Sequence, residues 1–153
     1  MTDTVPPLVR SRMMAAVRGR DTSPEREVRR ALHAHGLRFR LHVRTLPGCP
    51  DTVLPRWRTV LFVNGCFWHS HGCKDAKLPT TRQDFWREKL QGNALRDNKN
   101  VDALRTTGWR VLVVWECELD AARRVKNNRF FTALAASICC SRSSIAVDAT
   151  YSL

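Results

Sequence analysis

The chain of 153 residues is long enough for one domain with a hydrophobic core and too short for two ordinary domains. It carries 26 Lys and Arg residues against 14 Asp and Glu residues, a net charge of +12, and 43% hydrophobic residues. This composition excludes a disordered basic tail or an acidic solvating protein and favours a globular protein that binds nucleic acid. The alternative is an arginine-rich solvated surface without a binding function. Without an apolar run of ~18 residues or an export signal, we expect a cytoplasmic protein with no membrane partner.

The first third of the chain predicts two helices and one strand. Residues 11–17 have the spacing of a short amphipathic helix. A second helix is expected from Ser23, which can cap it, to Gly36, which ends it, with Glu25 near the positive end of the helix dipole. Residues 38–43 alternate between polar and apolar side chains, which predicts a half-buried strand.

A hairpin is predicted next. Residues 51–54 and 59–63 are strand-like runs joined by a short polar turn, which indicates antiparallel pairing. With the turn centred between them, Asp51 is expected opposite Phe62 and Val63.

The second half of the chain predicts a crossover. Residues 64–81 are an irregular segment too rich in Cys and His to be an ordinary connection. A long helix over residues 82–106 and a buried strand over residues 109–115 follow. A strand, a helix and a strand in this order place the strands 59–63 and 109–115 parallel in one sheet. A last helix is expected over residues 128–139. The predicted fold class is therefore α/β, with a mixed sheet flanked by helices.

Four side chains have the pattern of a metal site. Cys66, His71 and Cys73 lie close together on the irregular segment, and Zn²⁺ prefers four such ligands. Cys117 follows the second of the two parallel strands as Cys66 follows the first, so both are expected at the same edge of the sheet. We predict a closed, structural Zn²⁺ site. The alternative is that these cysteines are small buried apolar side chains.

A second metal site is predicted beside it. Asp51 is expected next to Asn64, His69 and the main-chain carbonyl of Val63. A carboxylate with a main-chain carbonyl is a common Mg²⁺ site in phosphodiester chemistry, and His69 can move a proton at neutral pH. Glu25 can complete this site or act only on its helix dipole, and its spacing alone favours the helix dipole.

Aromatic residues adjoin these ligands. Phe67 and Trp68 lie between Cys66 and His69, on a loop that the metal would hold rigid, and such side chains are suited to enter a DNA base stack. Trp86 and Met14 are further candidates for this role, with core packing as the alternative for both.

Together these motifs resemble the very short patch repair (Vsr) mismatch endonucleases over about residues 8–120. The motifs are Arg-Asp-Thr at 20–22, Leu-Pro-Gly-Cys-Pro-Asp at 46–51, Asn-Gly-Cys-Phe-Trp-His at 64–69 and Gly-Trp-Arg-Val-Leu-Val-Val-Trp-Glu-Cys at 108–117. The resemblance implies a restriction-endonuclease-like α/β fold in one domain over residues 1–153. Residues 1–20 are expected to form a DNA-contacting arm, and residues 141–153 a flexible tail.

The resemblance also implies an activity, namely a Mg²⁺-dependent nick on the 5′ side of a thymine mispaired with guanine after deamination of 5-methylcytosine. Mismatch-repair proteins and a cytosine-5 DNA methyltransferase are the protein partners it suggests, and the nucleoid is the expected location.

Site roles follow from the resemblance residue by residue. They are Mg²⁺ binding by Asp51 and the Val63 carbonyl; catalysis by Asp51, His69, Glu25 and Asn64; Zn²⁺ binding by Cys66, His71, Cys73 and Cys117; and DNA intercalation by Phe67, Trp68, Trp86 and Met14.

Two positions depart from the family pattern. Asn64 stands where the family can carry a second histidine, and an amide cannot carry a proton at pH 7. Thr52 stands where a larger apolar residue is expected. A catalytically weakened or inactive mismatch-binding module of the same fold is therefore the main alternative. A nuclease of this fold that serves restriction or mobile-element functions is a further one.

Overall fold

The computed structural model describes residues 19–126 and 128–140, together with Pro6, Leu8, Val9 and Arg12. Met14, all of the predicted helix over residues 11–17 except Arg12, most of the predicted arm and the predicted tail lie outside the described residues. Within the described part, no helix is long and apolar enough to cross a membrane.

The described elements alternate between helices and strands. In chain order they are α1 (Ser23–Ala34), β1 (Thr52–Leu54), β2 (Thr59–Asn64), α2 (Gln83–Thr106), β3 (Arg110–Trp115), α3 (Glu116–Val125) and α4 (Arg129–Cys139), with 3₁₀ turns at Pro55–Trp57 and Lys74–Ala76. This order confirms the predicted α/β class. It adds α3, which the sequence pattern did not indicate.

The sheet has the predicted mixed topology. Its strand order is β1-β2-β3, with β2 antiparallel to β1 and parallel to β3. Thr52 pairs with Leu61, which places Asp51, one residue earlier, opposite the end of β2. Val63 pairs with Val114, so β2 and β3 finish at one edge. The predicted hairpin and the predicted crossover are both confirmed.

The predicted strand over residues 38–43 is wrong. Only one isolated bridge forms there, between Arg40 and Val53. His42 has a positive φ of 46°, in the left-handed region, and such a residue interrupts an extended strand.

The start of α1 also differs from the prediction, because Thr22 rather than Ser23 is the N-cap. The Thr22 hydroxyl accepts a hydrogen bond from the Glu25 N–H, and the Glu25 carboxylate accepts one in return from the Thr22 N–H. This reciprocal capping box moves the boundary by one residue.

The core lies on both faces of the sheet. On one face, α1, α3 and α4 bury the residues Val28, Leu32, Leu54, Leu61, Val114, Leu119, Phe131 and Ile138. On the other face, Leu104 of α2 packs against Val53 and Val60. The sheet is thus flanked by helices on both faces.

Helix α2 buries only some of its apolar side chains. Leu90, Val101 and Leu104 are buried, but Phe85 is 44% exposed and Leu95 is 64% exposed. Two of the three buried residues of α2 therefore lie in its C-terminal half.

Candidate active site and metal centre

A cleft of about 720 Å³ opens at the edge where β2 ends. Its walls come from the loop before α1 and the start of α1, the segment before β1, the irregular segment after β2 and the middle of α2. The ends of β2 and β3 and the start of α3 line it as well. Its charged and polar lining residues include Arg20, Glu25, His42, Asp51, Asn64, His69, Lys89, Asp97 and Glu116. The structure therefore brings the predicted catalytic residues Asp51, His69, Glu25 and Asn64 to one place.

Asp51 stands at the open end of the hairpin, opposite the end of β2. Its Oδ2 accepts a hydrogen bond of 2.8 Å from the Val63 N–H. Since the N–H and C=O of a strand residue point to the same side, the Val63 carbonyl lies on the Asp51 side as well. Within the described part of the chain, Oδ1 of Asp51 accepts no hydrogen bond, so this oxygen is available to a cation.

The electrostatics at Asp51 also favour a cation. The pKa of the Asp51 carboxyl is raised to about 6, chiefly by burial and to a smaller extent by the charge of Glu25, while the Val63 hydrogen bond opposes the rise. An ionised carboxylate in such a place is stabilised by a bound positive ion. The donor set therefore fits a hard divalent cation.

His69 has a partner that the sequence analysis missed. Its Nδ1 lies 2.6 Å from Oδ2 of Asp97, on α2. A carboxylate at Nδ1 keeps the proton on that nitrogen and leaves Nε2 free for a proton transfer. A signal for Asp97 does exist in the sequence: Lys89, Asn93, Asp97 and Asn100 recur at helical spacing, and they form a polar stripe on α2.

Asn64 is the last residue of β2 and is 6% exposed. It lines the cleft together with Asp51 and His69. An amide there can donate or accept a hydrogen bond but cannot transfer a proton at neutral pH.

Glu25 is buried, and both of its carboxylate oxygens accept hydrogen bonds. Its Oε1 accepts from the Thr22 hydroxyl at 2.9 Å, and its Oε2 accepts from the Asp21 N–H at 2.9 Å and from Arg29 Nη2 at 2.7 Å. Both carboxylate oxygens thus serve the loop before α1 and the next turn of the helix.

The predicted Cys/His cluster forms. The ligand atoms of Cys66, His71, Cys73 and Cys117 all lie within 4.8 Å of one another. Cys117 arrives from the first turn of α3, directly after β3, and its Sγ lies 3.4 Å from Nδ1 of His71. Metal–ligand bonds of about 2.0–2.3 Å in a tetrahedron give separations of this size. The four residues could therefore hold one metal ion.

Burial has a strong effect on these thiols. It raises the pKa of Cys66 to about 12, and it raises the pKa of Cys117 as well. Neutral thiols in this cluster would lose their protons only to a cation that binds the sulfur atoms, so metal binding and thiol ionisation are coupled.

Trp115 connects the two sites. Its ring stacks on the His71 ring with a centroid distance of 4.0 Å and an interplanar angle of 9°. The His69 ring meets the same indole edge-on at 6.5 Å. The cluster that holds His71 therefore also restrains the position of His69.

Three of the predicted intercalating residues form one aromatic cluster. The ring centroids of Phe67 and Trp68 are 5.1 Å apart, those of Phe67 and Trp86 are 5.3 Å apart, and those of Trp68 and Trp86 are 6.1 Å apart. Lys89 Nζ lies 5.4 Å from the Trp86 ring. Asn93 fixes the loop, since its Nδ2 donates to the Trp68 carbonyl at 3.0 Å. These rings pack on each other and remain partly exposed.

A mixed sheet with helices on both faces and a carboxylate cleft at the shared end of its strands fits the restriction-endonuclease-like α/β fold that the motifs imply. The Cys/His cluster beside the cleft adds a second feature of this class, a group of four residues that could hold a metal ion.

Comparison with known proteins agrees with this class. The profile of the family described as DNA mismatch endonuclease Vsr matches residues 2–75. The chain is 39% identical over 148 residues to the DNA mismatch endonuclease Vsr of Escherichia coli strain K12, covering 97% of this chain and 95% of that protein. It is 52% identical over 119 residues to the type II nicking enzyme V.XorIIP of Xanthomonas oryzae pv. oryzae, covering 78% of this chain and 88% of that protein. The chain belongs to the DNA mismatch endonuclease Vsr family, as its motifs predict.

Proposed function

We propose that the protein nicks duplex DNA on the 5′ side of the thymine in a T:G mismatch, with Mg²⁺ as the catalytic ion. Family membership makes the chain a DNA endonuclease. The observation that carries the finer proposal is the convergence of Asp51 and the His69–Asp97 pair in one cleft, next to an aromatic cluster on the same loop.

Asp51 and the Val63 carbonyl would hold Mg²⁺. When bound, the ion supplies positive charge to the phosphate oxygens at the bond that is cut. The free Oδ1 of Asp51 and the buried position of its carboxylate support this role.

His69 would transfer the proton. Asp97 orients the imidazole through Nδ1, so Nε2 faces the reaction as an acceptor. There it takes the proton of the attacking water or, when protonated, gives a proton to the leaving oxygen as the P–O bond breaks. Asn64 would hydrogen-bond a phosphate oxygen or a water, so His69 carries the proton transfer alone.

Cys66, His71, Cys73 and Cys117 would hold Zn²⁺ in a closed tetrahedral site. With four protein ligands no position is left for substrate, so this ion would stabilise the loop rather than act in the reaction. Its position beside His69 and Phe67 explains why a rigid loop is needed: both the proton carrier and the aromatic residues are on it.

Phe67, Trp68 and Trp86 would insert into the base stack at the mispair. Unstacking costs least where pairing is already poor, which gives a preference for mismatched DNA without reading each base. The net charge of +12 would hold the duplex against the cleft.

A cleavage assay tests the proposal. Labelled duplexes with a single T:G mismatch and matched T:A duplexes are incubated with the protein, with and without Mg²⁺. We expect nicking only at the mismatch and only with Mg²⁺. Equal cutting of both duplexes would support a restriction or mobile-element nuclease instead.

The position of Asn64 favours a second candidate, a catalytically weakened or inactive module that binds mismatches. Tight binding of the T:G duplex without product would support it. Asn64→His would then be expected to restore nicking.

A further inference from the structure

Two permanently charged cations line the described walls of the cleft, Arg20 and Lys89. Lys89 belongs to the aromatic cluster, because its ammonium lies 5.4 Å from the Trp86 ring and 5.5 Å from the Trp68 ring. Arg20 stands on a different wall, on the loop that leads into α1. The cleft therefore has one cation at the aromatic cluster and another on the wall formed by the loop before α1.

The loop that carries Arg20 is held by a buried polar network. Glu25 accepts from the Asp21 N–H and from the Thr22 hydroxyl, each at 2.9 Å. Arg29 donates to the carboxylates of both Asp21 and Glu25. The residue after Arg20 is thus fixed in a positive-φ conformation, 54° at Asp21, by contacts from the next two turns of the chain.

His42 closes the network from the other side. Its Nε2 lies 2.9 Å from Arg29 Nη2, 3.4 Å from Asp21 Oδ1 and 3.9 Å from Glu25 Oε2. With both of its terminal nitrogens engaged, Arg29 compensates the charges of Asp21 and Glu25 and has no remaining capacity for DNA.

A DNA phosphate that approaches the cleft meets the carboxylates of Asp51 and Asp97, whereas the charge of Glu25 is compensated by Arg29. Arg20 lies on the same wall of the cleft as Glu25. No described carboxylate forms an ion pair with the Arg20 guanidinium. We propose that Arg20 binds a phosphate next to the bond that is cut, and that Glu25 and Arg29 are positioning residues that hold the Arg20 loop. This inference rests on the proposed function and assigns the Arg20 guanidinium to a DNA phosphodiester.

The first test compares Arg20→Ala, Arg20→Lys and the control Arg124→Ala, where Arg124 is an exposed arginine that does not line the cleft. We expect Arg20→Ala to raise the KM for a T:G duplex by about 10-fold and to lower the slope of log Kd against log salt by about one. Arg20→Lys should recover part of the loss, and Arg124→Ala should match the wild type. A wild-type KM and salt slope in Arg20→Ala would overturn the inference.

Glu25→Gln separates positioning from metal binding. We expect a rise in KM close to that of Arg20→Ala, an unchanged Mg²⁺ concentration for half-maximal rate, and little further loss in the double variant, because both changes act on one contact. A higher Mg²⁺ requirement with an unchanged KM would assign Glu25 to the ion instead.

The outcomes stay separable from those of the proposed function. A wild-type protein that fails to nick any mismatched duplex refutes the proposed function, and the salt slope of DNA binding then still decides the role of Arg20. A wild-type protein that nicks normally, with Arg20→Ala behaving identically, refutes only this inference.

Discussion

The imidazole of His69 and the carboxylate of Asp97 meet at 2.6 Å, although 28 residues separate them along the chain. The contact joins the metal-binding loop to the middle of α2. Because the loop alone cannot fix the tilt of the His69 ring, α2 is as much a part of the active site as the loop.

Asp97→Asn should lower the kcat of nicking by at least about 100-fold with little change in the Kd for mismatched DNA. The amide cannot stabilise the imidazolium and can favour the wrong tautomer of His69. Single-turnover nicking and duplex binding measure the two effects. Asp102→Asn, at an exposed aspartate of α2 outside the cleft, is the control. Equal losses in both variants would mean that α2 itself was disturbed.

Asp51→Asn should abolish nicking, leave DNA binding largely intact and make the Mg²⁺-free protein more stable at high pH. The folded-state pKa of about 6 lies above the ordinary aspartate pKa of 3.8, so the ionised carboxylate costs stability as the pH rises through about 6, and below about pH 4 the cost vanishes. The expected gain at pH 8 is up to about 3 kcal/mol, since each unit of pKa difference between the folded and unfolded protein corresponds to ~1.4 kcal/mol. Thermal unfolding at pH 4.5 and pH 8 measures it, and a gain independent of pH would contradict the assignment.

Cys73→Ala should lower the bound zinc and the Tm together, because one ligand of the four is lost. Metal analysis of the purified protein and thermal unfolding are the measurements. Cys139→Ala, at an exposed cysteine at the end of α4, should change neither. Full zinc content in Cys73→Ala would argue against a four-ligand site.

Trp68→Ala should reduce the preference for mismatched over matched DNA more than it reduces overall affinity. Competition binding with T:G and T:A duplexes gives the ratio. Trp57→Ala is the matched control, since Trp57 packs against the core and should affect Tm rather than preference. A uniform loss of affinity in Trp68→Ala would assign its ring to packing.

Thr52→Val should stabilise the protein by about 1 kcal/mol. The Thr52 hydroxyl is buried and has no hydrogen-bond partner among the described residues, so its replacement by a methyl group removes a desolvation cost. Thr59→Val provides the opposite case, because the equally buried Thr59 hydroxyl donates to the Trp57 carbonyl at 2.9 Å. Denaturant unfolding of the two variants should therefore give shifts of opposite sign.

Short-range sequence patterns were enough to predict which strand ends share one edge of the sheet and which site residues meet there. The hairpin register of Asp51 follows from alternation and turn length, and the approach of Cys117 to Cys66 follows from the parallel crossover. Both depend on topology with few alternatives, so one sequence suffices to predict them.

The missed features depend on tertiary context. The backbone at His42 turns left-handed within an alternating pattern, where its side chain joins the network around Arg29. Helix α3 starts directly after β3 without a turn residue, since Glu118 caps the Trp115 N–H at 2.8 Å. Asp97 was overlooked because charged residues on a long helix are usually solvated.

Helix α2 fixes the distance between Trp86, which would insert into the DNA, and Asp97, which would orient His69 for cleavage. Trp86 lies near its start and Asp97 about three turns further on, a rise of ~16 Å. In the proposed function, the residue that would insert into the duplex and the residue that would orient the proton carrier are therefore separated by a fixed length of helix. One extra residue between Trp86 and Asp97 would rotate Asp97 by about 100° around the helix axis. We therefore expect cleavage to be lost while binding to the mispair is kept.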